Sequence, residues 1–276
     1  MADAISRFNA LDGKDVFSLT GTDEHGQKVE RSAQLKGMAP IDFVDQKSEN
    51  FKRLGTLLGC NHTDFIRTTE ERHKKKVEDV WNALIERDMI YLGKYEGWYS
   101  VTDESFFSER ELVDGFAPTG ATVEWVQEPS YFFRLSNWTE RLVEHYEANP
   151  SFVVPASRQK EMLNLLSGEA GEGLPDISVS RTSFSWGLRV PHDPEHVVYV
   201  WLDALVNYMS AVDAPLPHQK QSTGDIACEH KEKVNYWPPD VHVVGKDILY
   251  FHAVLWPALL MAIGLEIPNR IVAHGW

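Results

Sequence analysis

Cysteine is nearly absent. Only Cys60 and Cys228 occur in a chain of 276 residues, and two distant thiols make neither a disulfide framework nor, by themselves, a metal cluster. Basic charge is also in deficit: 27 Lys and Arg stand against 41 Asp and Glu, for a net charge of −14. That balance excludes a surface built mainly to grip nucleic acid, although a local contact stays open. No apolar run suits a bilayer. The longest, AVLWPALLMAIGL at 253–265, contains a proline and falls short of the roughly 20 residues a spanning helix needs. The opening MADAISRFNALDG lacks the apolar stretch of a signal peptide. GxSxG, HExxH, a Walker phosphate loop and paired CxxC are all missing. GEAGEG at 168–173 lacks the GxGxxG spacing and follows a helical pattern, not a strand. His192 and His196 are four apart, but Pro191 and Pro194 remove the helix that would turn that spacing into a metal site. With 43% hydrophobic and 25% charged residues, the composition is that of a globular protein large enough to bury a core without staples. The expectation is a soluble, intracellular α/β enzyme domain.

What is present alternates between strand and helix grammar. ADAISRFNALDG (2–13) has Ala4, Ile5, Phe8 and Leu11 at helical spacing and a glycine at its end. VFSLT (16–20) reads as a buried parallel strand, followed at once by the polar GTDEHGQK (21–28). After the strand-like DFIRTT (64–69), the stretch 69–89 places Val77, Val80, Trp81, Leu84 and Ile85 on one helical face. Its basic cluster, 73–76, is expected on the solvated face. The middle is aromatic and β-rich: IYLGKYEGWYSV (90–101) and TVEWVQEPSYFFRLS (122–136), then helical patterns to about Leu166 and a glycine-rich link at 167–175. The last third returns to strand-then-helix order at 196–212 and 241–264, with a polar surface loop at 215–236 between them and a final strand from Arg270. The fold class expected is α/β: a Rossmann-type parallel sheet split by a mixed α/β insertion domain. Its parts are a first half at 1–93, the insertion at 94–186 and a second half at 187–276.

Three stretches carry candidate chemistry. In open parallel sheets, ligands sit beyond the carboxyl ends of the strands. Asp23 stands there, so GTDEHGQK suits an ammonium, a metal or a phosphate, or else Thr22 or Asp23 caps the next helix. In WLDALVNY, Trp201, Leu205 and Tyr208 share one helical face, which is either ordinary core or a pocket wall. Two of the three carry a polar atom that needs a partner when buried. In VGKDILYFHAVLW, Gly245 marks a strand-to-helix turn where backbone can approach a ligand, and Asp247 falls where a ribose hydroxyl can be held. Ile248, His252 and Trp256 follow at intervals of four, with His252 either a core histidine or a site residue.

Taken together, GTDEHGQK, DFIRTT, YEGWYS, WVQEPSYFFRLS, DISVSR, YVWLDALVNYM, VVGKDILYFHAVLWPALL and the closing HGW resemble, in order and over essentially the whole chain, the catalytic core of the methionyl-tRNA synthetases, class I aminoacyl-tRNA synthetases. The resemblance implies ATP-dependent activation of methionine to methionyl-adenylate, then transfer to tRNA(Met). It implies that Asp23 binds the α-ammonium, and that Trp201, Leu205 and Tyr208 line the side-chain pocket closed by Ile248 and His252. Gly245 and Asp247 would hold the ATP ribose, and Arg181, closing DISVSR, would take part in activation. ATP would act with Mg2+; no membrane partner is implied. Rings around a thioether contribute about 0.3–1.5 kcal/mol each. A donor such as the Tyr208 hydroxyl or His252 adds discrimination, because apolar pockets separate near-isosteres by only about 1–3 kcal/mol.

The departures are informative. Leu205 stands where many relatives carry proline. The HIGH-type and KMSKS-type segments, which stabilise developing transition-state charge, are not in this chain. The chain is therefore read as an internal fragment that lacks the first strand of the sheet, with little or no adenylate-forming activity by itself. Where many relatives hold zinc with CxxC pairs, this chain has Ser100 and Asp103, and FAPTGA (116–121) without cysteine, so no zinc is expected. The competing readings are a non-catalytic methionine- or tRNA-binding fragment and another class I synthetase. The compartment expected is cytoplasmic, with a mitochondrion or other organelle as the alternative.

Overall fold

The computed structural model describes residues 1–103, 105–107, 109–168, 173–217 and 236–275. Cys228, nearly all of the 215–236 loop, the middle of the 167–175 link and the last residue of the closing HGW lie outside the described residues.

The chain opens with α1 (Ala2–Leu11), β1 (Leu19–Thr22), α2 (Gln27–Leu35), α3 (Pro40–Leu57), β2 (Asp64–Arg67) and α4 (Glu71–Glu86). β1 and β2 pair in parallel from Leu19↔Asp64 to Thr22↔Arg67. A four-stranded antiparallel sheet follows, formed by β3 (Ile90–Ser100), β4 (Ser105–Phe107) and β5 (Glu124–Phe133), joined later by β7. Next come α5 (Thr139–Ala148), β6 (Val153–Val154), α6 (Ala156–Ser167), β7 (Ile177–Ser178), β8 (Ser180–Arg181), β9 (Arg189–Val190) and β10 (Asp193–Val198). α7 (Val200–Val212), β11 (His242–Gly245), α8 (Trp256–Ile263) and β12 (Ile271–His274) complete the chain. β11, β12 and β6 form a second parallel sheet, with β12 in the middle. The fold is thus α/β of Rossmann type, with an antiparallel insertion.

Sheet membership divides the region 94–186. Its antiparallel sheet already begins at Ile90, whereas β6 joins the parallel sheet through Val153↔Ile271. Leu142, Tyr146, Met162 and Leu166 of α5 and α6 share one apolar core with Trp81, Leu202, Trp256 and Leu259. The physical reason is covering: β12 and α8 are strongly apolar, and α5 and α6 shield them. One contact is specific. Pro257 has no N–H to offer the carbonyl four residues before it, and the buried Tyr146 hydroxyl donates to that Ala253 oxygen instead, at 2.8 Å.

Two expectations fail locally. The basic cluster of α4 does not all face solvent: His73 is fully buried and Lys76 nearly so, while Lys75 is exposed. Residues 73, 76, 77, 80 and 84 form one helical face, and a buried carboxylate and a helix end supply partners for His73 and Lys76. Lys76 Nζ donates to the Ala214 carbonyl and to Asp213 Oδ1, each at 3.0 Å, at the left-handed end of α7. In α1, the expected apolar face is largely uncovered: Phe8 is 68% and Leu11 90% exposed, whereas Ile5 is half-buried at the edge of a cavity.

Candidate functional site

β1 ends at Thr22, and the loop 23–26 turns immediately beyond its carboxyl end. Four sets of contacts fix this loop. The Glu24 amide donates to Thr68 Oγ1 at 3.1 Å. The buried Glu24 carboxylate accepts from Thr22 Oγ1 (2.7 Å), Thr69 Oγ1 (2.6 Å) and, in bidentate fashion, Arg67 Nε and Nη2 (2.7 and 3.0 Å). Gly26, at φ 104°, adopts a conformation that favours glycine, and its N–H donates to the Trp186 carbonyl at 3.0 Å. The Trp186 indole N–H returns to the Glu24 carbonyl at 2.6 Å. Bidentate pairs of this kind impose geometry as well as energy.

Asp23 is the loop residue left open to a cavity of about 950 Å³, which lies between β1, α7 and the segment 236–252. Asp23 is exposed to this cavity, but the protein walls around it thin the solvent at its carboxyl, and this partial desolvation pushes its pKa up to about 6; the nearby Asp203 charge acts in the same sense, against His73 and His25. Trp201, Leu205, Tyr208, Ile248 and His252 border the same cavity. The structure therefore brings all six residues expected around methionine into one space.

The aromatic wall is layered. Trp201 stacks on Phe251 with ring centroids 3.8 Å apart and an interplanar angle of 7°, and meets His252 edge-on. Tyr208 packs against His242 at 4.1 Å and, from behind, against the fully buried Trp256. Trp256 thus belongs to the core, although it continues the spacing of Ile248 and His252. The helix between them is a π-turn over Phe251–Leu255, in which the Trp256 amide reaches back to the Phe251 carbonyl. Such turns often mark functional sites.

Protons in this wall are already assigned. His252 Nδ1 lies 2.9 Å from the Ile248 carbonyl and must donate to it. Burial holds His252 below the usual histidine range, so the ring is neutral and Nε2 is an acceptor. The Tyr208 hydroxyl, 2.7 Å away, donates to it. Burial and the neighbouring Asp23 raise the Tyr208 pKa and keep that hydroxyl protonated. The donor expected for a ligand sulfur is thus spent inside the wall, and what faces the cavity is ring surface and a phenolic oxygen. Burial drives His242 further, to about 3, with His252 acting in the same sense.

Three expected residues lie outside the cavity lining. Gly245 closes β11, and a Cβ there would meet no atom within 4 Å, so the space beside its backbone is open. Asp247 is exposed next to Lys246. Arg181 is buried in β8, where Nη1 donates to the Ser180 carbonyl at 2.7 Å and the guanidinium lies 4.1 Å from the Tyr199 ring centre.

Sequence reading missed the polar groups behind the site. Asp203, 1% exposed, sits on α7 between two histidines: Oδ2 meets His25 Nδ1 and Oδ1 meets His73 Nε2, each at 2.6 Å. His73 Nδ1 continues to Ser210 Oγ at 3.0 Å. A charged residue at a helical position otherwise lined by apolar ones was the available signal.

The family model described as tRNA synthetases class I (M) matches residues 1–123 and 117–276. The chain belongs to that family. It is 53% identical over 276 residues to the methionine–tRNA ligase of Rickettsia conorii, covering 100% of this chain and 51% of that protein. To the methionine–tRNA ligase of Rhizobium meliloti it is 46% identical over 279 residues, covering 99% and 51%. Among solved structures, Mycobacterium tuberculosis methionyl-tRNA synthetase bound by methionyl-adenylate superposes with a TM-score of 0.89 at 45% identity, covering 99% of this chain and 52% of that one. The chain thus spans about half the length of the curated relatives it matches.

Proposed function

We propose that this chain is the amino-acid-activating core of a methionine–tRNA ligase: methionine and ATP give methionyl-adenylate, and the complete enzyme passes the methionyl group to tRNA(Met). The observation that carries this reading is the single cavity bordered by Asp23, Trp201, Leu205, Tyr208, Ile248 and His252. The likeness to a synthetase bound by methionyl-adenylate supports it.

Methionine enters with its ammonium on Asp23, and its thioether against the Trp201, Tyr208 and His252 rings, where sulfur–ring contacts favour it. Fixing the ammonium turns the carboxylate toward ATP, which is chiefly a positioning effect. The ribose of ATP lies along Gly245 and Asp247, beside the open backbone at Gly245. Mg2+ would be bound to the ATP phosphates, where it would neutralise their charge. Arg181 is assigned to activation on family likeness; its guanidinium is packed against Tyr199. We assign no zinc to the insertion. Ser100 Oγ accepts from the Asp103 amide at 3.2 Å, and Thr119 Oγ1 donates to Asp103 Oδ2 at 2.8 Å, so hydrogen bonds hold together the turns where thiolates would otherwise be needed.

The two parallel sheets also fit the reading of a core segment. Among the described residues, β1 pairs only with β2 and β11 only with β12, and both β1 and β11 border the cavity.

Titration calorimetry with methionine, leucine and norleucine tests the reading. Methionine is expected to bind most tightly, by at least the tenfold that about 1.4 kcal/mol represents; equal binding of the three would overturn it. Pyrophosphate exchange on this chain alone is expected to be absent or very weak, and turnover comparable to a complete synthetase would refute the assignment as a partial core.

A further inference from the structure

The loop that carries Asp23 is held from behind by a group that the expected ligand set does not use. Asp203 stands in the first turn of α7, one residue before Ala204 and two before Leu205, both of which border the cavity. Its side chain points away from that space. It is clamped at 2.6 Å on each oxygen by His25, two residues beyond Asp23 in the loop, and by His73 on α4. Burial of a carboxylate in this place is costly unless it is paired and hydrogen-bonded, and two imidazoles supply that.

We propose that Asp203 is a positioning residue for the ammonium subsite, holding the Asp23 loop through His25. The inference rests on the functional reading above and deepens it. Glu24, Gly26 and Trp186 fix the loop's far side, and Asp203 links its near side to α7 and α4. An ammonium in the cavity then meets an Asp23 carboxylate held in place from both sides of its loop, whereas a ligand without an ammonium has no use for it.

That difference supplies the test. Binding of methionine and of 4-(methylthio)butanoate, which lacks only the ammonium, is measured on the unsubstituted chain, on Asp203→Asn and on His73→Gln at neutral pH, with thermal melts alongside. Asp203→Asn is expected to weaken methionine by about tenfold or more, the scale of a charge-assisted interaction, and to leave the deaminated ligand unchanged. His73→Gln, whose amide still donates to Asp203, is expected to retain most of the methionine affinity and guards against misfolding of the first variant. Equal weakening of both ligands in Asp203→Asn, or no weakening of either, would overturn the positioning role. If the unsubstituted chain does not favour methionine over the deaminated ligand, the functional reading itself falls.

Discussion

The Tyr208 hydroxyl donates to His252 Nε2 at 2.7 Å, and His252 Nδ1 donates in turn to the Ile248 carbonyl at 2.9 Å. The relay runs along the cavity wall and ends on backbone, so it fixes both the tautomer of the ring and the tilt of the phenol. Recognition of a thioether here depends on shape and on polarizable ring surface more than on a free donor.

Tyr208→Phe removes the relay's first donor and leaves Nε2 buried without one. A loss of about 1–3 kcal/mol in stability is expected, the usual cost of an unsatisfied buried group. Urea unfolding measures it, and an unchanged midpoint would contradict the assigned tautomer.

Asp23 links pH to both binding and stability. Its folded-state pKa is about 6, against an ordinary value of 3.8. Between these values the folded chain binds more protons than the unfolded one, so this group's contribution to stability is fully present at lower pH and is lost as pH rises through about 6. Asp23→Asn is accordingly expected to melt higher than the parent chain at neutral pH, with the gap closing toward about pH 4. Methionine affinity moves oppositely, falling as the pH drops through about 6, because only the ionised carboxylate holds an ammonium. Melts and calorimetry across this range check both signs.

Gly21 lies where β1 passes β2 with no room for a side chain: a Cβ would stand 2.1 Å from the Ile66 carbonyl oxygen and 2.7 Å from its Cγ2. Gly21→Ala must push the two strands apart and shift Asp23 two residues on. Destabilisation of about 1–3 kcal/mol or more is expected from such overpacking, together with lost methionine binding. A thermal melt and a titration on the same sample decide it.

Glu24 accepts from Thr22, Thr69 and Arg67 while buried, so its charge and both oxygens are in use. Glu24→Gln breaks a buried pair and turns one oxygen into a donor facing donors; a loss of about 3–5 kcal/mol is expected. Arg67→Lys, which supplies a point charge in place of a fork, is expected not to preserve the parent stability. Denaturant midpoints for the two variants test this.

Metal analysis of the purified chain after dialysis is expected to find no stoichiometric zinc, and chelator treatment is expected to leave the melt unchanged. Zinc near one equivalent would require ligands other than the thiolates of the related sites.

The α/β order, the aromatic face of α7 and the turn after β1 were legible because each is a local pattern: period, breaker and motif lie within a few residues. The fate of 73–76 was not legible. A run of basic residues on a helix is solvated unless something distant pairs with it, and that partner, Asp203, is 130 residues away from His73. For the same reason α1 reads as an amphipathic helix in sequence, while its apolar face stays largely uncovered among the described residues.

By itself, then, the amino-acid order determined the family, the identities of the six residues around the cavity and the lack of thiolates for a metal. Tertiary structure alone decided that these six share one space and that Tyr208 spends its proton on His252. It also decided that Asp203 lies behind Asp23 between two imidazoles. Those outcomes depend on charges and hydrogen bonds between groups far apart in the chain, whose energies exist only once burial removes water from between them.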